Sequence, residues 1–167
     1  ITWGGTGKTP IVEMVAKKLL ERGHKLAIQS RGYKRKNKEE IGDEPNMLQD
    51  NLNIPVIVGE NRLKEARLAL EKLSLDTIIL DDSFQHWRIF RDMDIVVIDA
   101  MNPFGNGCLI PRGILREPLS ALKRADIFFL THTDLAPNNL GPIKQRLREI
   151  NPKVHIVESR HAPLGFY

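Results

Sequence analysis

Gly4-Gly5-Thr6-Gly7-Lys8-Thr9-Pro10, close to the start of the chain, reads as a phosphate-binding loop running into a helix. Glycines let successive backbone N–H groups turn inward around phosphate oxygens. The helix that follows aims the positive end of its dipole at the same point. At that spacing Lys8 reaches the outer phosphates of a nucleotide and the Thr9 hydroxyl takes a Mg²⁺. Pro10 suits a first helical turn, where its missing N–H costs nothing. One position departs from the usual pattern, which places a glycine where this chain has Thr2. The plainer alternative, a glycine-rich turn capping an ordinary helix, leaves Gly-Lys-Thr at the helix start unexplained.

Such a loop normally follows a buried strand. The chain opens on Ile1, without Met, so the expectation is a fragment whose first strand lies upstream. Its 167 residues suit one domain with a sizeable core. A 41% hydrophobic and 28% charged composition is that of a soluble globular chain. No apolar run approaches the ~18 residues of a membrane span, and no signal peptide is visible. The single Cys108 rules out an internal disulfide framework and fits a reducing compartment. No Cys/His spacing suits zinc. The net charge of +4 is unevenly spread, which suits an acidic partner or a membrane surface.

Outward from the loop, residues 11–22 carry apolar side chains at helical spacing and Gly23 stops them. Residues 25–30 read as a strand, 31–38 as a basic loop, and 42–52 as a helix with acids at its N-terminus. Residues 54–58 form a strand. Residues 61–73 form a helix with Leu63, Ala66, Leu70 and Leu73 as the inner stripe. Strands at 77–80 and 94–98 end in Asp81-Asp82 and Asp99. A Pro- and Gly-rich loop follows over 102–118, long enough to suggest function. A short helix at 119–124, a strand at 127–131, a helix at 142–150 and a strand at 154–157 complete the order. Helices alternating with continuously apolar strands predict an α/β fold of the P-loop NTPase type. Its sheet is mostly parallel with helices on both faces, and its first strand is missing from the fragment. Ligands of such sheets lie beyond the strands' carboxyl ends. Polar clusters fall there at Ser30-Arg31, Asp81-Asp82, Asp99 to Asn102 and Thr131 to Asp134.

Thr77-Ile78-Ile79-Leu80-Asp81-Asp82 has the form of a buried strand delivering a carboxylate to Mg²⁺ beside the loop. Spacing leaves open which acid meets the metal. Gln85 and His86 follow closely enough to sit on the γ-phosphate side, although a lone histidine is as often structural. His24, His132, His155 and His161 receive no role, and Cys108 packs in its loop. Arg31, Lys34, Arg35, Lys36 and Lys38 are either a solvated run or a contact for a phosphorylated substrate or anionic bilayer. Only Tyr33 offers a stacking ring there, which argues against nucleic acid. Transfer to a hydroxyl needs a carboxylate to accept the proton. Asp43 is the best candidate outside the metal site, its alternative role being a helix-start acid.

Five stretches occur together and in order: Gly4 to Pro10, Ser30 to Arg35, Gly42-Asp43-Glu44-Pro45, Asp81 to His86, and Asn102 to Gly107 through Leu115 to Leu119. With them the chain closely resembles the tetraacyldisaccharide 4'-kinases, the lipid A 4'-kinases of Gram-negative bacteria, over essentially its whole length. The resemblance implies ATP-dependent phosphorylation of the 4'-hydroxyl of a tetraacylated glucosamine disaccharide 1-phosphate. It implies a peripheral enzyme at the cytoplasmic face of the inner membrane. It places Gly4, Gly5, Thr6, Gly7, Lys8 and Thr9 on ATP and Thr9 with Asp81 or Asp82 on Mg²⁺. It makes Asp43 the base, with Lys8 and His86 as its catalytic companions. Glu44, Gln85 and His86 lie beside the phosphates, metal or sugar. Arg31, Tyr33 and Asn102, with Gln85, are the residues assigned to the disaccharide and its phosphate. Departures from the family pattern are Trp3, Trp87, Arg112, Ile114 and Ser83, the last replacing a glycine. A serine there is expected to shift the Gln85-His86 turn if the position needs φ > 0. The family also has an N-terminal membrane-binding segment and a second domain that supplies a histidine supporting the base.

Residues 1–158 therefore read as a partial kinase domain and 159–167 as the start of a linker. Two other classes compete: a switch or partitioning-type ATPase, and a non-catalytic nucleotide-binding fragment. The former usually carries a lysine where this chain has Trp3, and has no need of the 102–118 loop.

Overall fold

The computed structural model describes residues 1–2, 5–30, 43–59, 61–160 and 162, and of Asp43 and Glu44 only the backbone. The chain divides into two compact units, one of residues 8–83 and one of residues 1–7 with 84–167. Each has its own parallel three-stranded ladder and its own core.

The first unit runs α1 (Lys8–Glu21), β1 (Leu26–Ser30), α2 (Asp43–Leu52), β2 (Val56–Val58), α3 (Arg62–Leu73) and β3 (Thr77–Leu80). α1 ends because Gly23 takes φ +85. Its N–H and that of His24 then reach back to the carbonyls of Leu20 and Leu19, the paired closure of a Schellman turn. α3 begins at Asn61, whose side chain accepts from the Lys64 N–H at 3.2 Å. The ladder order is β2-β1-β3, with Ile28 opposite both Val56 and Ile79. Leu26, Ala27, Ile28 and Gln29 are all buried. Successive strand residues face opposite sides, so β1 is covered on both. Ala16 of α1 and Leu48 and Leu52 of α2 close this core.

The stripe expected on α3 is displaced by one position. Leu63, Leu70 and Leu73 are exposed, while Arg62 and Ala69 are buried. The inward face is set by Arg62, whose Nη1 donates to the Asp81 carbonyl at 2.9 Å. Its own carbonyl accepts from buried Gln29 Nε2 at 2.9 Å. A hydrogen-bonded arginine holds the place a leucine was expected to fill.

The second unit contains β4 (Ile95–Asp99), a 3-10 turn at Leu119–Arg124, β5 (Ile127–Thr131), α4 (Leu140–Ile150) and β6 (His155–Glu158). Its ladder is β4-β5-β6, with Asp99 opposite Thr131. β5 is the covered strand here, with Phe128, Phe129, Leu130 and Thr131 buried in succession. Ile143 and Leu147 of α4 pack into its core.

The 102–118 loop is laced together by Asn106. Its Nδ2 donates to the Arg112 carbonyl at 2.9 Å and its Oδ1 accepts from the Cys108 N–H at 3.1 Å. Leu115 pairs with Thr2 in an antiparallel bridge, and Arg116 N donates to the Ile1 carbonyl at 2.8 Å. The long loop thus anchors the residues that lead into the phosphate loop.

Candidate functional site

Within the first unit, Lys8 and Thr9 open α1 and Asp81 and Asp82 follow β3. Lys8 Nζ stands 4.0 Å from Asp82 Oδ1, with both side chains about a third exposed (32% each). At that distance and exposure the ion pair is worth little in itself. The Asp81 N–H donates to the Gln29 carbonyl at 2.8 Å, continuing the β1–β3 register one residue past the strand. Its carbonyl accepts from Arg62 Nη1 and, at 3.2 Å, from Ser83 Oγ. Asp82 takes the left-handed conformation, φ 49, which an aspartate tolerates better than most side chains.

That geometry answers the question about Ser83. The positive φ falls on Asp82, not on Ser83. Ser83 is buried and its hydroxyl ties back to Asp81, so the serine fits without the strain expected from a lost glycine.

Within the second unit, Gly5 and Gly7 have φ +23 and +75, and Thr6 between them is buried. A side chain on Gly7 would lie in the left-handed region and meet Thr131 Cγ2 at 3.4 Å. Thr131 Oγ1 donates to the Thr6 carbonyl at 3.0 Å. Asp99, one strand over, accepts from the Met101 N–H at 2.9 Å and lies 3.0 Å from His132 Nδ1. His132 is held at φ 53.

Asn102 uses its side-chain oxygen to accept the Gly105 N–H at 3.0 Å, closing the first turn of the long loop. Gln85 and His86 are half-buried, and their carbonyls accept from Trp87 N at 3.2 Å and from Arg91 Nη1 at 2.8 Å. Trp87 Nε1 donates to Glu117 Oε1 at 3.2 Å, and the Arg124 guanidinium lies 4.4 Å from the ring centres of both Trp87 and Phe84. The unusual tryptophan is thus one side of a cation–π sandwich.

Lys8 and Asp82 are brought together, and Asp81 is fixed beside them through its backbone. Gly5, Thr6 and Gly7 form their turn against Thr131. Asp43 and Glu44 open α2. Gly4, Arg31 and Tyr33 fall outside the described residues, as do the side chains of Asp43 and Glu44. Arg62 has no place in the sequence reading, and Thr131 and His132 enter it only as part of the polar cluster after their strand. The signals were present but faint. Gln29 and Arg62 are polar residues in stretches that otherwise face inward, and Thr131-His132 ends a strand as Asp81-Asp82 does.

Thr9 and the two aspartates supply only hard oxygen donors, the set that Mg²⁺ takes alongside phosphate oxygens. Among the described residues no group of three His, Cys, Asp or Glu is gathered as a ready-made metal cage.

A sequence model of the family described as tetraacyldisaccharide-1-P 4'-kinase matches residues 1–164. A tetraacyldisaccharide 4'-kinase of Halothermothrix orenii is 44% identical, over 95% of this chain and 46% of its own length. The enzymes of that name from Anaeromyxobacter dehalogenans (strain 2CP-C) and Elusimicrobium minutum are 44% and 42% identical. They are covered over 47% and 50% of their lengths, and cover 96% and 100% of this chain. The chain therefore spans about half the length of the curated relatives it matches. Among solved structures, the hydrogenase maturation factor HypB from Archaeoglobus fulgidus superposes with a TM-score of 0.61 at 14% identity. That match covers 93% of this chain and 76% of HypB. The Zn(II)-bound YjiA GTPase from E. coli gives 0.59 at 19% identity, over 97% of this chain and 56% of its own. These two show the fold alone, an α/β fold with parallel strands.

Proposed function

The chain belongs to the tetraacyldisaccharide-1-P 4'-kinase family, and from that premise we propose that it carries the nucleotide-binding half of a lipid A 4'-kinase. The reaction moves the γ-phosphate of ATP to the 4'-hydroxyl of a tetraacylated glucosamine disaccharide 1-phosphate. The observation that carries this reading is the meeting of Lys8 and Asp82 at 4.0 Å, the two ends of a phosphate loop and an acid-ended strand, in a chain matched by the family over residues 1–164.

Lys8 binds the β- and γ-phosphates and offsets the charge that grows on the transferring group. The Thr9 hydroxyl and one of Asp81 and Asp82 would hold Mg²⁺, with Glu44 near it. The ion supplies charge neutralisation and a fixed geometry for the phosphates. Arg62 and Ser83, by gripping the Asp81 carbonyl, keep the acid pair at its station. Asp43 takes the proton of the 4'-hydroxyl as it attacks. Gln85 and His86 line the γ-phosphate side, and Arg31, Tyr33 and Asn102 recognise the disaccharide and its 1-phosphate.

A substrate with four acyl chains stays in a bilayer, so its kinase must meet it at the surface. The site is accordingly assigned to a peripheral protein at the cytoplasmic face of the inner membrane. The basic residues Arg31, Lys34, Arg35, Lys36 and Lys38 would contribute at most ~1 kcal/mol each near anionic lipid.

The test is transfer of the γ-phosphate from ATP to the tetraacyl disaccharide 1-phosphate in detergent, using the full-length protein, with Lys8→Ala and Asp43→Ala. Phosphorylated lipid from wild type is expected, with Asp43→Ala slower by about 10²–10⁴ and nucleotide affinity retained. ATP hydrolysis without lipid product would replace this reading with that of a switch ATPase.

A further inference from the structure

We propose that Thr131 is the positioning residue that holds the phosphate loop in its anion-binding form, an inference that rests on reading Gly4 to Thr9 as that loop. Thr131 ends β5, the covered strand of its ladder, and is itself buried (7% exposed). Its hydroxyl has one hydrogen to give. Two carbonyls lie within reach, Thr6 at 3.0 Å and Ile98 at 3.4 Å, and the shorter contact is to the loop.

A trans peptide is planar, so its C=O and the N–H that follows point in opposite directions. Drawing the Thr6 carbonyl toward Thr131 therefore turns the Gly7 N–H away from β5, with its hydrogen directed outward. Reversal of that one peptide would present a carbonyl oxygen where the N–H now points, and a carbonyl repels phosphate. The same side chain acts on the next residue through its methyl group. Cγ2 stands 3.4 Å from where a Cβ on Gly7 would be, and Gly7 has φ +75. One threonine thus orients one peptide of the loop by hydrogen bonding and packs against the next residue, which its φ of +75 keeps to glycine. The Asp99–His132 contact fixes the chain immediately after it.

The experiment is calorimetric titration of the full chain with ATP and with tripolyphosphate, the phosphate chain alone. Thr131→Val keeps the shape and removes the donor, Thr131→Ser keeps the donor, and Lys8→Ala is the control. Thr131→Val is expected to weaken both ligands by about tenfold, the worth of one hydrogen bond. Thr131→Ser is expected to stay close to wild type. A merely structural role would lower the melting temperature and leave both affinities unchanged, which would overturn the proposal. Equal losses in the valine and serine variants would overturn it too. Should the valine variant not fold, Thr131→Ala set against Thr131→Ser makes the same comparison. Wild type that binds neither ligand, indistinguishable from Lys8→Ala, would sink the phosphate-loop reading and this inference with it.

Discussion

At the carboxyl end of β3, Asp82 faces Lys8 across 4.0 Å with both side chains a third exposed. At the carboxyl end of β4, Asp99 is 3.0 Å from a histidine and accepts a backbone N–H from Met101 as well. Both are apolar parallel strands ending in an aspartate, and in sequence they look alike. The first carboxylate forms a long, part-exposed pair with Lys8, of a kind worth little in itself. The second sits inside a short hydrogen-bonded turn that shapes the chain around Thr131 and His132. Two strand-end acids that look alike in sequence thus stand in different surroundings, one facing a lysine and one inside a hydrogen-bonded turn.

The sharpest way to break this comparison is to remove the two partners. Lys8→Ala should lower phosphoryl transfer by about 10²–10³, the worth of a charge aimed at the transferring group. His132→Ala should cost less than about tenfold, as the loss of one ordinary hydrogen bond does. Equal losses would mean that both acids serve the chemistry.

Arg62→Met tests how the first acid pair is held. It removes the Arg62 donor from the Asp81 carbonyl and should destabilise the protein by about 1–3 kcal/mol, read from urea unfolding. Gly7→Ala tests the frame from the other side. It forces a side chain into the left-handed region against Thr131 and should cost about 1–2 kcal/mol by the same measurement.

The smallest effect lies away from both sites. The Thr77 hydroxyl, then the Lys25 N–H and then His24 hold the Asp76 carboxyl below its ordinary value of 3.8. A depressed carboxylate contributes stability above its unfolded value and loses it as pH falls through the folded one. The stability difference between wild type and Asp76→Asn, followed by urea unfolding, should therefore be present at neutral pH and close as the pH falls below 3.8. A difference that grew on acidification would contradict these contacts.

Much of the fold was legible because the central strand of each ladder, β1 and β5, is buried on both faces. Leu26 to Gln29 and Phe128 to Thr131 are runs that only a covered parallel strand accommodates, and their limits came out within a residue. The α3 stripe was misread because periodicity counts apolar residues and cannot foresee a buried arginine that satisfies itself on a distant carbonyl. The expected parallel pairing holds throughout, the described strands forming two three-stranded ladders.

By itself the sequence determined the α/β pattern, the phosphate loop at the head of α1, the acid pair after β3 and the resemblance to lipid A kinases. These are local facts: a glycine spacing, a run of apolar residues, a motif. Only the tertiary structure decided that Asp82, not Ser83, takes the left-handed turn, that Arg62 grips Asp81, and that Thr131 reaches Thr6 from 125 residues away. Contacts between residues so far apart in the chain have no local signature. They exist because each unit packs a helix start or a loop against the end of a strand, Arg62 on the Asp81 carbonyl and Thr6 on Thr131.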